Sequence, residues 1–436
     1  MTMNLKIDMQ VCQDDYPLDW YQQEFVPYAE EYQALPDRDI LTTLMWMQPY
    51  MDKATQHFGD SLLLLAHYYM GGEIVKIINY FGGIMGDSYQ LALMAVQHPE
   101  KKIIVESAVH FMAESISILA HDDQAVYITN PKSGCTMEML AKDFMVQPAF
   151  EQLNARYESN ILPVCYMNTS GRIKAMTGAQ GGAVCTSSNV KKICQWALSQ
   201  QKKILFIPDR HMGENVANWL GLSQEDIAYW PAGQAALHYK LVEQPPEILA
   251  RFDRAKLILF ASECGVHSYY EENMVRYWQQ QGYHVLVHPE CRQQVVSAAD
   301  GHGSTAFLWD YVSQDKAKTG KYAIGTENHM VKNLRDLCQQ NNIKVVNLSD
   351  IPSVQFKKRG CGCATMSRND PPHLVAVLDL LRQGKAPQFN LVKPGDVVHE
   401  FNGSRERLTQ QGQDWVVSNA KKALEKMISI TETNLS

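Results

Sequence analysis

The chain of 436 residues carries 40 Lys and Arg against 47 Asp and Glu, a formal charge of −7, with 45% hydrophobic and 20% charged residues. That length suits two to four domains of ordinary size, each with its own core, and the acidic balance offers no basic field to a nucleic-acid backbone. The opening stretch MTMNLKIDMQVCQDDYPLDWYQQ is acidic and polar where a signal peptide needs an apolar core, and no later apolar run approaches spanning length. The expectation is a cytoplasmic protein without nucleic-acid or membrane partners. Ten scattered cysteines in a reducing compartment are free thiols, metal ligands or nucleophiles, and placement has to separate these roles.

Taken in chain order, the predicted elements repeat. An apolar run ends in a short polar cluster three times: LLLLAHYY at Tyr69, ILPVCYMN at Asn168 and HVLVHPE at Glu290. Each reads as a buried strand opening into a loop. Roughly one helix with its turns later, each is followed by a hydroxyl motif: GDS with Ser88, TSS with Ser187 and GST with Thr305. These precede the helical patterns YQLALMAV, NVKKICQWAL and AFLWDYV, so the hydroxyl residues are expected to cap helix N-termini while leaving amides for an anion. A further strand then follows in each unit, as KKIIVES, KKILFIPD and KYAIGTEN, with His110, His211 and His329 just beyond.

Strand, helix, strand, helix in triplicate predicts an α/β protein of three doubly wound α/β/α units with short parallel sheets around a pseudo-threefold axis. Ligands of such sheets bind beyond the carboxyl ends of the strands, so the three polar clusters would face one cavity suited to a small polyanion. The expected divisions are an N-terminal extension over 1–54, a first unit over 55–134 completed by 363–403, a second over 135–235, a third over 236–362 with an insertion near 255–280, and a tail over 404–436. A third repeated element sharpens the chemistry. The first unit reaches PKSGCTME with Cys135 and the third KKRGCGCATM with Cys361 and Cys363. In the second unit the same step lands at Gln234 in WPAGQAALH, with no cysteine. Three thiolates from three units would cage an iron–sulfur cluster with one iron left open.

The ordered blocks AHYY, GDS, FMAES, SGCTME, YMNTS, TSSN, PDRHMG, HPEC, GST, GTE and Cys-Ala-Thr-Met, from about Leu62 to Met366, resemble the signature blocks of quinolinate synthases. The resemblance implies a three-domain fold around a 4Fe-4S cluster held by three cysteines, and the condensation of iminoaspartate with dihydroxyacetone phosphate to quinolinate in NAD biosynthesis. It also implies an aspartate-oxidising enzyme supplying the iminoaspartate. By its motifs, His67, Tyr69, His288 and Glu290 would act in proton transfer and substrate orientation. Ser88, Tyr166, Asn168, Ser187 and Thr305 would bind carboxylate or phosphate oxygens, Met366 would line the cavity, and Cys135 and Cys363 would ligate the cluster. His, Tyr and a paired Glu are suitable proton shuttles for such a condensation and its dehydrations.

The family's second cluster cysteine belongs to a Trp-x-Gly-x-Cys-x-x-His pattern, and anchoring on Trp230 and His238 puts Ala235 in its place. Alanine cannot ligate iron, which leaves Cys264, with His267 beside it, or Cys361 as surrogates. It also leaves open a diverged, clusterless or altered-cluster paralogue acting on another small anionic metabolite, or a non-catalytic metabolite-binding protein. Cys165 and Cys185 read as core, Cys291 has no ligand role, and His110, His211 and His329 read as repeat scaffold.

Overall fold

The computed structural model describes residues 18–352, 362–398 and 405–433. Three parallel sheets form in sequence. The first contains β1 (Leu62–His67), β2 (Ile84–Gly86), β3 (Ile103–Ser107) and β4 (Ala125–Ile128) in the order β2-β1-β3-β4. The second contains β5 (Ile161–Tyr166), β6 (Ala183–Cys185), β7 (Lys203–Ile207), β8 (Ile227–Trp230) and β9 (Leu257–Phe260) in the order β6-β5-β7-β9-β8. In the third, β10 (His284–Val287), β11 (Gly301–His302), β12 (Lys321–Gly325) and β13 (Lys344–Asn347) run β11-β10-β12-β13. Strands covered on both faces by helices read as unbroken apolar runs; every residue of β1 and of β5 is buried.

The same order thus recurs three times, and the second sheet shows what was added. β9 pairs with β7 as β4 pairs with β3 and β13 with β12, whereas β8 is a fifth strand on the outer edge. The segment near 255–280, expected as an insertion in the third unit, therefore supplies β9, the strand that completes the second sheet. The addition is instead β8 with the short helices that follow it. Trp230 is buried there by packing of its ring against Tyr239 and Phe252.

The hydroxyl motifs also differ in detail from expectation. Asp87, not Ser88, caps the Ser88–Ala92 helix, accepting from Tyr89 and Gln90 while Gln90 bonds back to Asp87 N. Ser304, not Thr305, caps the Thr305–Ser313 helix by accepting from Phe307 N. In the second unit Asn189 Oδ1 accepts from Thr186 N at 2.7 Å and closes the turn that carries Ser187. A cap must sit one residue outside the first helical turn to reach its amides, so the neighbour takes that duty and the motif hydroxyl is freed.

The ends of the chain bind the units together. The Gln410–Glu432 helix lies on the Gly171–Ala179 helix, burying Val416, Ala420, Ala423, Leu424 and Met427. Near the N-terminus the Tyr21 and Tyr28 hydroxyls donate to Asp370 and Asp379, which flank the first turn and the last turn of the Pro371–Arg382 helix. Beyond that helix, Leu391 forms an antiparallel bridge to Tyr127, at the edge of the first sheet. No helix among the described residues is long and apolar enough to cross a membrane.

Candidate active site

The carboxyl ends of all three sheets open on one cavity of about 420 Å³. His67 and Tyr69 enter it from the end of β1, Tyr166 and Asn168 from the end of β5, and His288 and Glu290 from the turn after β10. Ser88, Ser187 and Thr305 line it from the three hydroxyl motifs, and Met366 closes one side. All ten expected acid/base and binding residues share this wall.

A hydrogen-bonded chain crosses the cavity from unit to unit. The Tyr166 hydroxyl donates to Glu290 Oε1 at 2.7 Å, and Glu290 Oε2 lies 2.8 Å from His267 Nδ1. His267 Nε2 is 3.1 Å from Thr326 Oγ1, which is 2.9 Å from the Tyr69 hydroxyl; that hydroxyl accepts from Thr305 at 3.3 Å. Burial works against the Glu290 carboxylate, but the adjoining His267 and the bonds from His267 and Tyr166 outweigh it and hold its pKa below the ordinary carboxylate range. Ionised Glu290 can only accept, so the hydrogen in its contact with His267 is carried by Nδ1.

Two other histidines repeat one arrangement. The Tyr69 N–H donates to His67 Nδ1 at 3.2 Å, and the Glu290 N–H to His288 Nδ1 at 3.3 Å. A neutral ring that accepts at Nδ1 carries its proton on Nε2. Burial pushes both rings down to about 3, so they are neutral near pH 7. Burial also raises the Tyr69 and Tyr166 phenols well above the ordinary range, which keeps them protonated donors. His288 stacks on His267 with ring centroids 4.5 Å apart.

Three thiols face the same space. Cys135 follows β4, Cys264 follows β9 and Cys363 follows β13, one beyond the matching strand of each sheet. Burial raises all three, and Cys264 is pushed further by the Glu290 carboxylate and, less, by Cys135 and Cys363. Thiolates that repel one another in a buried cavity are a donor set that a polycationic centre offsets. Glu327 Oε1 accepts from Cys363 N at 3.0 Å and fixes that loop. Cys264 Sγ also sits 3.3 Å from His267 Nδ1, and Cys264, His267 and Glu290 bring donor atoms within 4.8 Å of one another.

Ala235 is exposed on the short Gln234–His238 helix past the edge strand β8 and lies outside the cavity. The repeat position is Cys264, because β9 and not β8 is the counterpart of β4 and β13. The spacing of Cys264-Gly-Val-His267 was the available signal, since it is the same Cys-x-x-His pattern that was sought at Trp230 and His238. Cys361 lies outside the described residues. The sequence marks His267 only as a surrogate ligand and gives Thr326 no role; the hydrogen-bonded chain places Thr326 between His267 and Tyr69.

The profile of the family described as "Quinolinate synthetase A protein" matches residues 52–429. The quinolinate synthase of Geobacillus kaustophilus is 34% identical over 355 residues, 81% of this chain and 90% of that protein. That of Streptomyces coelicolor is 37% identical over 337 residues, covering 76% and 80%, and that of Anoxybacillus flavithermus 32% over 381 residues, covering 87% and 97%. A match of that extent, joined to a cavity fed by three like sheets, places the chain in the quinolinate synthetase A family.

Proposed function

We propose that this enzyme condenses iminoaspartate with dihydroxyacetone phosphate to form quinolinate on the route to NAD, releasing phosphate and water, with Cys135, Cys264 and Cys363 holding a 4Fe-4S cluster. The observation that carries this reading is the convergence of three thiols, one per sheet, on the cavity crossed by the Tyr166–Glu290–His267–Thr326–Tyr69 chain. With Cys264 there, the reason for reading the chain as clusterless falls away. When bound, a cluster on three thiolates supplies an open iron as a Lewis acid for a carboxylate or hydroxyl oxygen.

The protein's own groups divide the remaining work. Ser88, Ser187, Thr305 and Asn168 offer hydroxyl and amide donors from separate units, which suits the several carboxylate and phosphate oxygens of the two substrates. His67 and His288, neutral and protonated at Nε2, orient these oxygens and take part in proton transfer. Glu290, ionised between Tyr166 and His267, accepts a proton released as the carbon–carbon bond forms, and the Tyr166 and Tyr69 hydroxyls return protons to leaving hydroxyl groups. Met366 shapes the cavity wall. An aspartate-oxidising enzyme would supply the imine.

The test is quinolinate production by protein purified and assayed without oxygen, with iminoaspartate generated in the reaction mixture. Wild type should form quinolinate from both substrates, and Glu290→Gln should reduce the rate about 100-fold or more, the usual size of a lost acid/base group. Cluster-loaded wild type that consumes neither substrate would overturn the reading.

A further inference from the structure

The central cavity has neighbours in series. Ser187 also lines a second cavity of about 350 Å³, between the start of the Val190–Ser199 helix and that of the Thr305–Ser313 helix. Trp219, His302 and Phe307 line both this cavity and a third of about 600 Å³ that reaches Asp300. Phe307 is 39% exposed, so this outer end meets solvent. The sequence of hollows runs along the seam between the second and third units, because Ser187 and Trp219 belong to the second and His302 and Phe307 to the third.

The walls of this seam have a definite charge. In the middle hollow Lys191 is exposed and makes no ion pair among the described residues, and the nearest carboxylate, Asp87 of the central cavity, is engaged by Ser188 Oγ at 2.9 Å and by Tyr89 N and Gln90 N. Asp300, in the outer hollow, is engaged by Val285 N at 2.7 Å and Gln279 Nε2 at 3.1 Å. Across the seam the Trp219 and His302 rings stack at 4.6 Å and 8°. An ammonium beside such an entrance raises the local concentration of anions and their entry rate, by tenfold or more in favourable cases.

We propose that this seam is the passage by which anionic substrates reach the central cavity, with Lys191 setting its charge preference and the Trp219–His302 stack forming part of its wall. It rests on the reading above only for which anions travel. The passage itself is measurable without turnover, because Cys135, Cys264 and Cys363 report arrival in the cavity.

The experiment compares two methanethiosulfonate reagents of similar size, one bearing a sulfonate and one a trimethylammonium, on cluster-free full-length protein. Labelling of the three cysteines is followed by peptide mass. Lys191→Glu should slow the anionic reagent about 3- to 10-fold at low salt and speed the cationic one. Both changes should shrink at high salt, where the Debye length falls to about 3 Å at 1 M. Trp219→Ala should widen the passage and speed both reagents alike. In the loaded enzyme Lys191→Glu should lower kcat/KM for dihydroxyacetone phosphate several-fold with kcat unchanged. An unchanged ratio of anionic to cationic labelling in Lys191→Glu overturns the passage. A shifted ratio in protein that makes no quinolinate would instead leave the passage standing and remove the proposed reaction.

Discussion

At Gly178 the C-terminal helix leaves no room for a side chain. A Cβ built there would sit 1.9 Å from the Asn419 carbonyl oxygen, 2.9 Å from its carbon and 3.1 Å from Ala423 N, all backbone atoms of the Gln410–Glu432 helix. A carbon–oxygen contact needs about 3.3 Å, so Gly178→Ala forces the two helices apart by roughly an ångström. A gap of that size forfeits about a quarter to a half of the dispersion energy across it. Full burial of the helix's Val416, Leu424 and Met427 is worth about 1.5–3 kcal/mol each, so the loss comes to about 3 kcal/mol. Alanine returns about 1 kcal/mol through helix propensity, leaving a net destabilisation of about 2 kcal/mol. Thermal unfolding should show the midpoint falling by a few degrees, and limited proteolysis should release the C-terminal helix sooner than in wild type. Gly181→Ala is the control: at φ +74 an added Cβ meets nothing within 4 Å and the exposed Lys426 bond to the Gly181 carbonyl is kept, so its cost is backbone strain alone, about 1–2 kcal/mol, and should not loosen the helix. A Gly178→Ala protein that melts at or above wild type would refute the packing argument.

Other consequences follow from the site and its surroundings. Tyr166→Phe removes the 2.7 Å bond to Glu290 and should lower kcat/KM about 10- to 100-fold, since bonds to buried charged groups are worth about 1.5–3 kcal/mol; an effect under twofold would remove Tyr166 from the proton path. Burial lowers His110 to about 4 from its ordinary 6.5. A depressed histidine contributes stability that is present above pH 6.5 and is lost as pH falls through 4, so this ring alone should account for about 3 kcal/mol over that window. His110→Gln should flatten the acid limb of a stability-versus-pH curve, and an unchanged slope would contradict the assignment. Glu327→Ala frees Cys363 N and removes the Met330 cap; it should lower the unfolding midpoint and speed alkylation of Cys363, and unaltered alkylation would show that the loop is held by other means.

Much of the architecture was legible because central parallel strands are buried on both faces, which makes runs such as Leu62–His67 and Ile161–Tyr166 stand out. The polar residues at their ends were legible for the related reason that a strand's carboxyl end is where such sheets place ligands. The second sheet defeated the same logic. IAYW and LILF are both four-residue apolar strands, and only tertiary pairing decides that LILF lies beside β7 while IAYW takes the edge. Counting along the chain therefore stopped a strand early, at Ala235, and passed over Cys264. His267 was hidden by the same error. Thr326 was hidden for another reason, since a hydroxyl acquires a role only through its partners, and His267 and Tyr69 are far from it in sequence. The capping duties of Asp87 and Ser304 turn on a single-residue offset that motif spacing does not resolve.

Cys264, not position 235, completes the thiol set in this reading of the cavity. Iron and acid-labile sulfide content with a visible spectrum, on wild type, Cys264→Ser and Ala235→Cys purified without oxygen, tests it most directly. Wild type and Ala235→Cys should hold about four irons per chain, one cubane, with a broad visible absorption, and a folded Cys264→Ser should lose most iron and colour. A Cys264→Ser protein that keeps its full iron and sulfide and an unchanged spectrum would contradict it.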